Sequence, residues 1–252
     1  MKILATHNLK GGVGKTSAAV SLAYLAACDG YRTLLWDLDP QGAASFCFRI
    51  KPKVKGGVKS LKKNSCSLDQ AVKATDFDGL DLIPADFSLR NFDRIFTRTK
   101  NPYQQLRRLL SPLRQEYDLL FIDCAPSISL MAENIFRVAD ILLIPLIPTT
   151  FSLRTYQQLL SFFQQKPRRK LQLLPFFSMY DKRRELHQSM VARLSVEVSD
   201  MLDARIPYAK NVELMGVERA PVNHFAPSSR SAVAYRKLWR EVKVKALDDF
   251  CL

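Results

Sequence analysis

One short run limits what this chain can fold into more than any other feature: Gly11-Gly12-Val13-Gly14-Lys15-Thr16. It follows an apolar segment, Lys2–Thr6, that reads as a strand. It opens an alanine-rich helical stretch over 16–29 that Gly30 stops. Strand, glycine loop and helix start, in that order, form a phosphate cradle. Glycines let successive backbone N–H groups turn inward, and their small size admits phosphate oxygens. The dipole of the following helix favours an anion at the same place. Lys15 then reaches the β and γ phosphates of a nucleotide, and the Thr16 hydroxyl ligates Mg²⁺. A glycine turn with no ligand has no use for lysine and threonine in that register. Val13 and Ser17 belong to the same nucleotide-binding run.

The rest of the chain repeats the strand–helix rhythm. Apolar runs over 32–38, 80–84, 118–123, Ile141–Leu146 and 171–177 read as strands. Helical stretches lie near 88–96, 102–115, 129–138, 153–164 and 185–202, with a last helix from 229 to about 248. Strands with almost no polar alternation, such as Leu119-Leu120-Phe121-Ile122, belong in a sheet covered on both faces. The expectation is an α/β fold, a doubly wound, mostly parallel sheet flanked by helices. One domain over 1–252 accommodates it, with 47% apolar residues to supply the core. One segment breaks the rhythm. Residues 49–63 hold seven lysines and arginines, no acid and Gly56-Gly57, and read as an exposed basic insertion.

Three further features carry chemistry. Lys10, just before the glycines, is placed to neutralise charge developing on a transferring γ-phosphoryl group. Asp37-Leu38-Asp39-Pro40-Gln41-Gly42 ends the second strand. Both its carboxylates lie one turn-length from the glycine loop if the two strands are neighbours. Asp123 ends an apolar strand in the Walker B arrangement. That puts a carboxylate at the C-terminal edge of the sheet, where ligands of such sheets sit, and Asp123 would hold Mg²⁺ through water.

Lys10-Gly11-Gly12-Val13-Gly14-Lys15-Thr16 resembles the deviant Walker motif of the ParA/MinD ATPases, and Asp37–Gly42 resembles that family's switch I segment. The likeness runs from Lys2 to Glu241. It implies a slow ATP hydrolase using ATP and Mg²⁺. By resemblance, Lys10 crosses to phosphates held by a second subunit, so that ATP becomes part of a homodimer interface. Asp39 then positions the attacking water, and Asp37 supports Mg²⁺ and the switch. Ile206-Pro207-Tyr208 resembles a segment that borders the adenine in relatives, and Ser178 stands where they often carry asparagine. Two places depart from the pattern: Ala125 replaces the first of two prolines, and Glu218-Arg219-Ala220-Pro221 stands where chromosomal ParA proteins have Glu-Ala-Pro. Without a helix-turn-helix before the loop, the likeness is to the short, Soj-like ParA type.

Charge points to a partner. The formal net charge is +14, and so much excess must be exposed. Basic residues recur over 49–63, over 90–114 and in the C-terminal third. The resemblance implies nonspecific DNA binding by the ATP dimer through C-terminal residues. The candidates are Arg183, Arg184, Lys210, Arg219, Arg236 and Arg240. Binding through phosphates weakens steeply with salt. A ParB-like or other cargo adaptor would stimulate hydrolysis; the cargo would be a plasmid, a chromosome or a protein assembly. Five cysteines without a C-x-x-C pair outline neither a disulfide framework nor a metal site. The N-terminus turns polar too soon for a signal peptide, and no apolar run approaches the roughly 20 residues of a membrane span. The expected location is cytoplasmic, on the nucleoid in the ATP state.

Two other functions compete. A MinD-like membrane switch would use Tyr235, Leu238, Trp239, Val242 and Ala246, which lie at helical spacing. Such a stripe is more often core, and Asp248-Asp249 would oppose an anionic surface. A metabolic or redox P-loop enzyme would use Cys124 beside Asp123, but no second cysteine is suitably placed.

Overall fold

The computed structural model describes residues 1–52, 68–86, 102–165, 171–198 and 200–247. Within them one eight-stranded sheet runs in the order β3-β4-β2-β5-β1-β6-β7-β8. The strands are β1 (Lys2–Thr6), β2 (Thr33–Asp37), β3 (Lys73–Ala74), β4 (Leu80–Ile83), β5 (Leu119–Asp123), β6 (Ile141–Leu146), β7 (Gln172–Tyr180) and β8 (Arg205–Pro207). All neighbours pair parallel except the short edge pair β3–β4. β5 and β6 are buried at every position, as strands covered on both faces must be.

Helices cover both faces. One layer holds α1 (Lys15–Cys28), α2 (Ala43–Cys47), α7 (Lys210–Glu213), α8 (Met215–Glu218), α9 (Val222–Phe225) and α10 (Arg230–Ala246). The other holds α3 (Pro102–Leu109), α4 (Leu130–Val138), α5 (Thr150–Gln165) and α6 (Glu185–Glu197). Alternation along β1 feeds both cores: Ile3 and Ala5 face one layer, Leu4 the other. Tyr235, Leu238, Trp239 and Val242 of α10 are buried in the α1 layer, and Trp239 Nε1 donates to Asp29 Oδ2 at 2.8 Å. The apolar stripe is therefore core and is not presented to a bilayer. Among the described residues no helix is long and apolar enough to cross a membrane.

Several expected boundaries shift for local reasons. The helix over 102–115 stops at Leu109, because Pro112 lacks an N–H and clashes with the preceding turn; a short 3₁₀ segment follows. The helix over 185–202 stops at Glu197, where Val198 turns extended. β7 runs on to Tyr180 past the expected 177. The expected helix over 88–96 and most of the basic insertion, 53–63, lie outside the described residues.

β1 lies between β5 and β6, where the strand order reverses direction. In an open α/β sheet that reversal opens a crevice at the C-terminal strand ends. The glycine loop leaves β1 there.

Candidate functional site

The loop from His7 to Gly14 is pinned from below. Asn8 Nδ2 donates to the Pro145 carbonyl at 2.8 Å, and the Lys10 N–H donates to Asn8 Oδ1 at 2.9 Å. Gly14 is the N-cap of α1, with φ 91°, a conformation that a Cβ would strain. A Cβ there would also stand 2.6 Å from Ser178 Oγ. Ser178 is buried and packs against the loop. α1 has no side-chain cap and no acid in its first turn, so its leading N–H groups and dipole are left for an anion.

The two lysines differ. Lys15 is buried, and its Nζ donates to the Lys10 carbonyl at 3.0 Å, inside its own loop. Burial lowers its pKa, opposed by the carboxylates of Asp123 and Asp39. Lys10 is exposed. Thr16 and Ser17 follow, both half-buried.

The acidic edge corrects one expectation. β2 and β1 are not neighbours: β5 lies between them, and the register sets Asp123 beside both Thr6 and Asp37. The carboxylates of Asp37 and Asp123 thus meet at adjacent strand ends. Asp123 is fully buried. Its Oδ1 accepts from Thr6 Oγ1 at 3.4 Å, and its Oδ2 has no partner. Burial, then the Asp37 charge, pushes its pKa up to about 8, while the Thr16 hydroxyl and Lys15 pull it down. Asp123 caps no helix, since Ser129 Oγ accepts the Ala132 N–H at the start of α4.

Asp37 is committed inside the chain. Its Oδ2 accepts the Ser45 N–H at 2.8 Å and the Ser45 hydroxyl at 2.7 Å, and its Oδ1 accepts the Asp39 N–H at 3.2 Å. Burial pushes its pKa up to about 6 against those bonds. Asp39 is half-buried, and its Oδ1 accepts the Gln41 N–H at 2.9 Å. The spacing marked Asp37 but not Ser45, which lies at the centre of α2.

A mainly apolar cavity of about 450 Å³ opens beside Thr16 and Ser17, walled by Gln41, Phe46, Cys47 and Met215 among others. Pro207, half-buried, ends β8 opposite Tyr180, and Tyr208 beyond it is exposed. The basic candidates differ in their surroundings. Arg183 grips Asp181 with both ends of its guanidinium, at 3.0 and 2.9 Å, with Arg184 beyond at 3.8 Å. Lys210 and Arg240 are exposed, and Arg236 donates to the Pro227 carbonyl. Arg219 is turned inward onto α2, with its Nε donating to the Phe46 carbonyl at 3.1 Å.

A family model described as an AAA domain matches residues 1–173. The sporulation initiation inhibitor protein Soj of Bacillus subtilis (strain 168) is 31% identical over 248 residues, covering 96% of this chain and 98% of Soj. The chain belongs to the ParA/MinD family of P-loop ATPases. The chromosome partitioning protein ParA of Caulobacter vibrioides (strain NA1000 / CB15N) is likewise 31% identical, over 251 residues, 96% of this chain and 94% of that one. Among solved structures, one described as cobyrinic acid a,c-diamide synthase from Mycobacterium smegmatis, with bound ADP and magnesium, superposes with a TM-score of 0.79. It is 27% identical, and the match covers 98% of this chain and 96% of that one. The match thus spans nearly the whole length of both Soj and ParA.

Proposed function

We propose that the chain is a Mg-ATP-driven switch of the partitioning kind. It dimerises with ATP, binds DNA without sequence preference and releases it on hydrolysis. One observation carries this reading: the two lysines of the loop are divided in use. Lys15 is folded back onto its own loop, whereas Lys10 has a fixed backbone and an exposed side chain. A lysine so placed is spare within one chain and useful to the phosphates of a second copy.

The site fits the cation as well. A fully buried carboxylate oxygen with no partner is costly unless a positive group meets it, and Asp123 Oδ2 is such an atom beside Thr16. Mg²⁺ held by Thr16 and, through water, by Asp123 would offset charge on the phosphates. Around it the backbone N–H groups of Gly11 to Gly14 and the Lys15 ammonium bind and orient the phosphates. Asp39, at the mouth, orients water for attack, and Asp37 braces α2. The basic residues of α10 and of the loop before α6 are the DNA contacts, and a cargo adaptor speeds hydrolysis.

Two variants test this reading by light scattering and phosphate release. Lys10→Ala should still bind ATP but stay monomeric and inactive. Asp39→Ala should accumulate as an ATP-bound dimer. A Lys10→Ala chain that dimerises normally with ATP would remove the interfacial role.

A further inference from the structure

Among the described residues three that are not glycine have a positive φ: Arg49 at 60°, Met179 at 53° and Arg219 at 50°. Both arginines end short helices. Arg49 follows α2, and Arg219 is the C-cap of α8. Glycine or asparagine usually fills such a position, because a Cβ there is strained against the backbone. A strained residue persists where surrounding contacts over-determine it, and here the side chains supply those contacts.

The contacts are reciprocal. Arg219, from the end of α8, donates through Nε to the Phe46 carbonyl near the end of α2 at 3.1 Å, and its guanidinium lies 4.6 Å over the Phe46 ring. Arg49, from the end of α2, donates through a terminal N–H to the Glu218 carbonyl at the end of α8 at 3.0 Å. Asp76 holds the other arm of Arg49 at 2.9 Å. Each arginine thus donates to a carbonyl at the terminus of the opposite helix; the Phe46 carbonyl also accepts the Arg49 N–H at 3.1 Å, so it takes two donors. Between the two helices Cys47 Sγ lies 3.8 Å from the Met215 carbonyl.

α2 reaches the acidic edge directly. Ser45 at its centre makes two bonds to Asp37, and its Oγ accepts the Ala85 N–H at 2.8 Å. Asp37 in turn accepts the Asp39 N–H. The path Arg219, Phe46 carbonyl, α2, Ser45, Asp37, Asp39 is continuous in bonds.

We propose that Arg49 and Arg219 form a reciprocal clasp between α2 and α8, and that Arg219 is a positioning residue which, through α2, holds Asp37 and Asp39 in place for hydrolysis. The clasp stands on geometry alone; the positioning role rests on the ATPase reading above. In that role the segment after β8 and the acidic edge move as one unit, so what binds near one is felt at the other.

Two measurements separate the two parts. The first needs no nucleotide. Cys47 lies under the clasp, and burial pushes its thiol up to about 11, which suppresses the reactive thiolate. In the full-length apo protein, N-ethylmaleimide labelling of the Cys47 peptide is followed by mass spectrometry, so other cysteines do not enter. Arg219→Gly and Arg49→Gly remove the side chain while keeping the backbone conformation at ease. Arg49→Gly should speed Cys47 labelling about tenfold or more, the scale of losing one charge-assisted hydrogen bond; Arg219→Gly should speed it less, because the Arg219 charge also pulls the Cys47 thiol down and its loss leaves less thiolate, and the double variant should add little to Arg49→Gly. Labelling of the Arg49→Gly chain within about twofold of wild type overturns the clasp.

The second is steady-state ATP hydrolysis with titration of a fluorescent ATP analogue. Arg219→Gly should lower kcat about tenfold with KM and analogue affinity nearly unchanged, the pattern of a lost transition-state contribution. Arg219→Lys keeps one donor but not the planar stack, and should recover part of kcat. Ser45→Ala should lower kcat as well, and the pair should not be additive. Additive effects, or a loss confined to KM, overturn the positioning role. If the wild-type chain hydrolyses no ATP, the ATPase reading fails together with the positioning role, and Cys47 labelling still decides the clasp.

Discussion

Asp123 should make the apo protein lose stability as pH rises. Its carboxyl is pushed from 3.8 up to about 8, first by burial and then by Asp37. Below pH 3.8 the group is neutral in both folded and unfolded chains and costs nothing. Between about pH 4 and 8 the folded chain holds a proton that the unfolded chain has released, so stability falls with pH. Each unit costs at most about 1.4 kcal/mol, and because Asp37 titrates at the same buried edge and shares the cost, roughly 2–4 kcal/mol accumulates by pH 7.5. Asp123→Asn never ionises and still offers an oxygen to Thr6 Oγ1. Urea unfolding without nucleotide or divalent cation should therefore find the variant more stable than wild type by about 2–4 kcal/mol at pH 7.5, shrinking to about 1 kcal/mol at pH 5. With Mg²⁺ and ATP the order should reverse, since only the carboxylate meets the cation. Parallel pH curves for the two proteins would refute the cost of burying Asp123 with Oδ2 unpartnered, and the cation fit built on it.

Other outcomes follow from the loop. Lys15→Ala should abolish binding of a fluorescent ATP analogue, because it removes both the phosphate counter-charge and the bond to the Lys10 carbonyl; binding within about threefold of wild type, under 1 kcal/mol, would count against its role. Gly14→Ala should cost about 2–4 kcal/mol in unfolding free energy, from the positive φ together with overpacking against Ser178 Oγ. Adding Ser178→Gly should recover the overpacking part only.

What the sequence made legible is what local chemistry decides. The glycine loop, the strand Ile141–Leu146 and the start of α4 follow from composition and periodicity within a few residues. Strand order was not legible. β5 slips between β1 and β2, and so joins Asp37 to Asp123, through pairings more than 80 residues apart in sequence. Arg219 counted as one more basic residue in a basic region, yet its left-handed backbone and the Phe46 carbonyl turn it inward. Ser45 was invisible for a related reason: its meaning is the Asp37 carboxylate, and only the bend at Gly42 brings the two together. The apolar face of α10 was legible as a stripe, but which partner it covers was settled by α1 and Asp29.

Retention of the purified chain on random-sequence duplex DNA, at low salt and with Mg-ATP, Mg-ADP or no nucleotide, bears most directly on the account. An ATP-assembled dimer doubles the phosphate contacts that one chain can make, and each contact releases counterions. Strong retention should occur with Mg-ATP alone, fall steeply as salt rises, and vanish in Lys10→Ala. Equal, weak retention in all three nucleotide states would contradict the account.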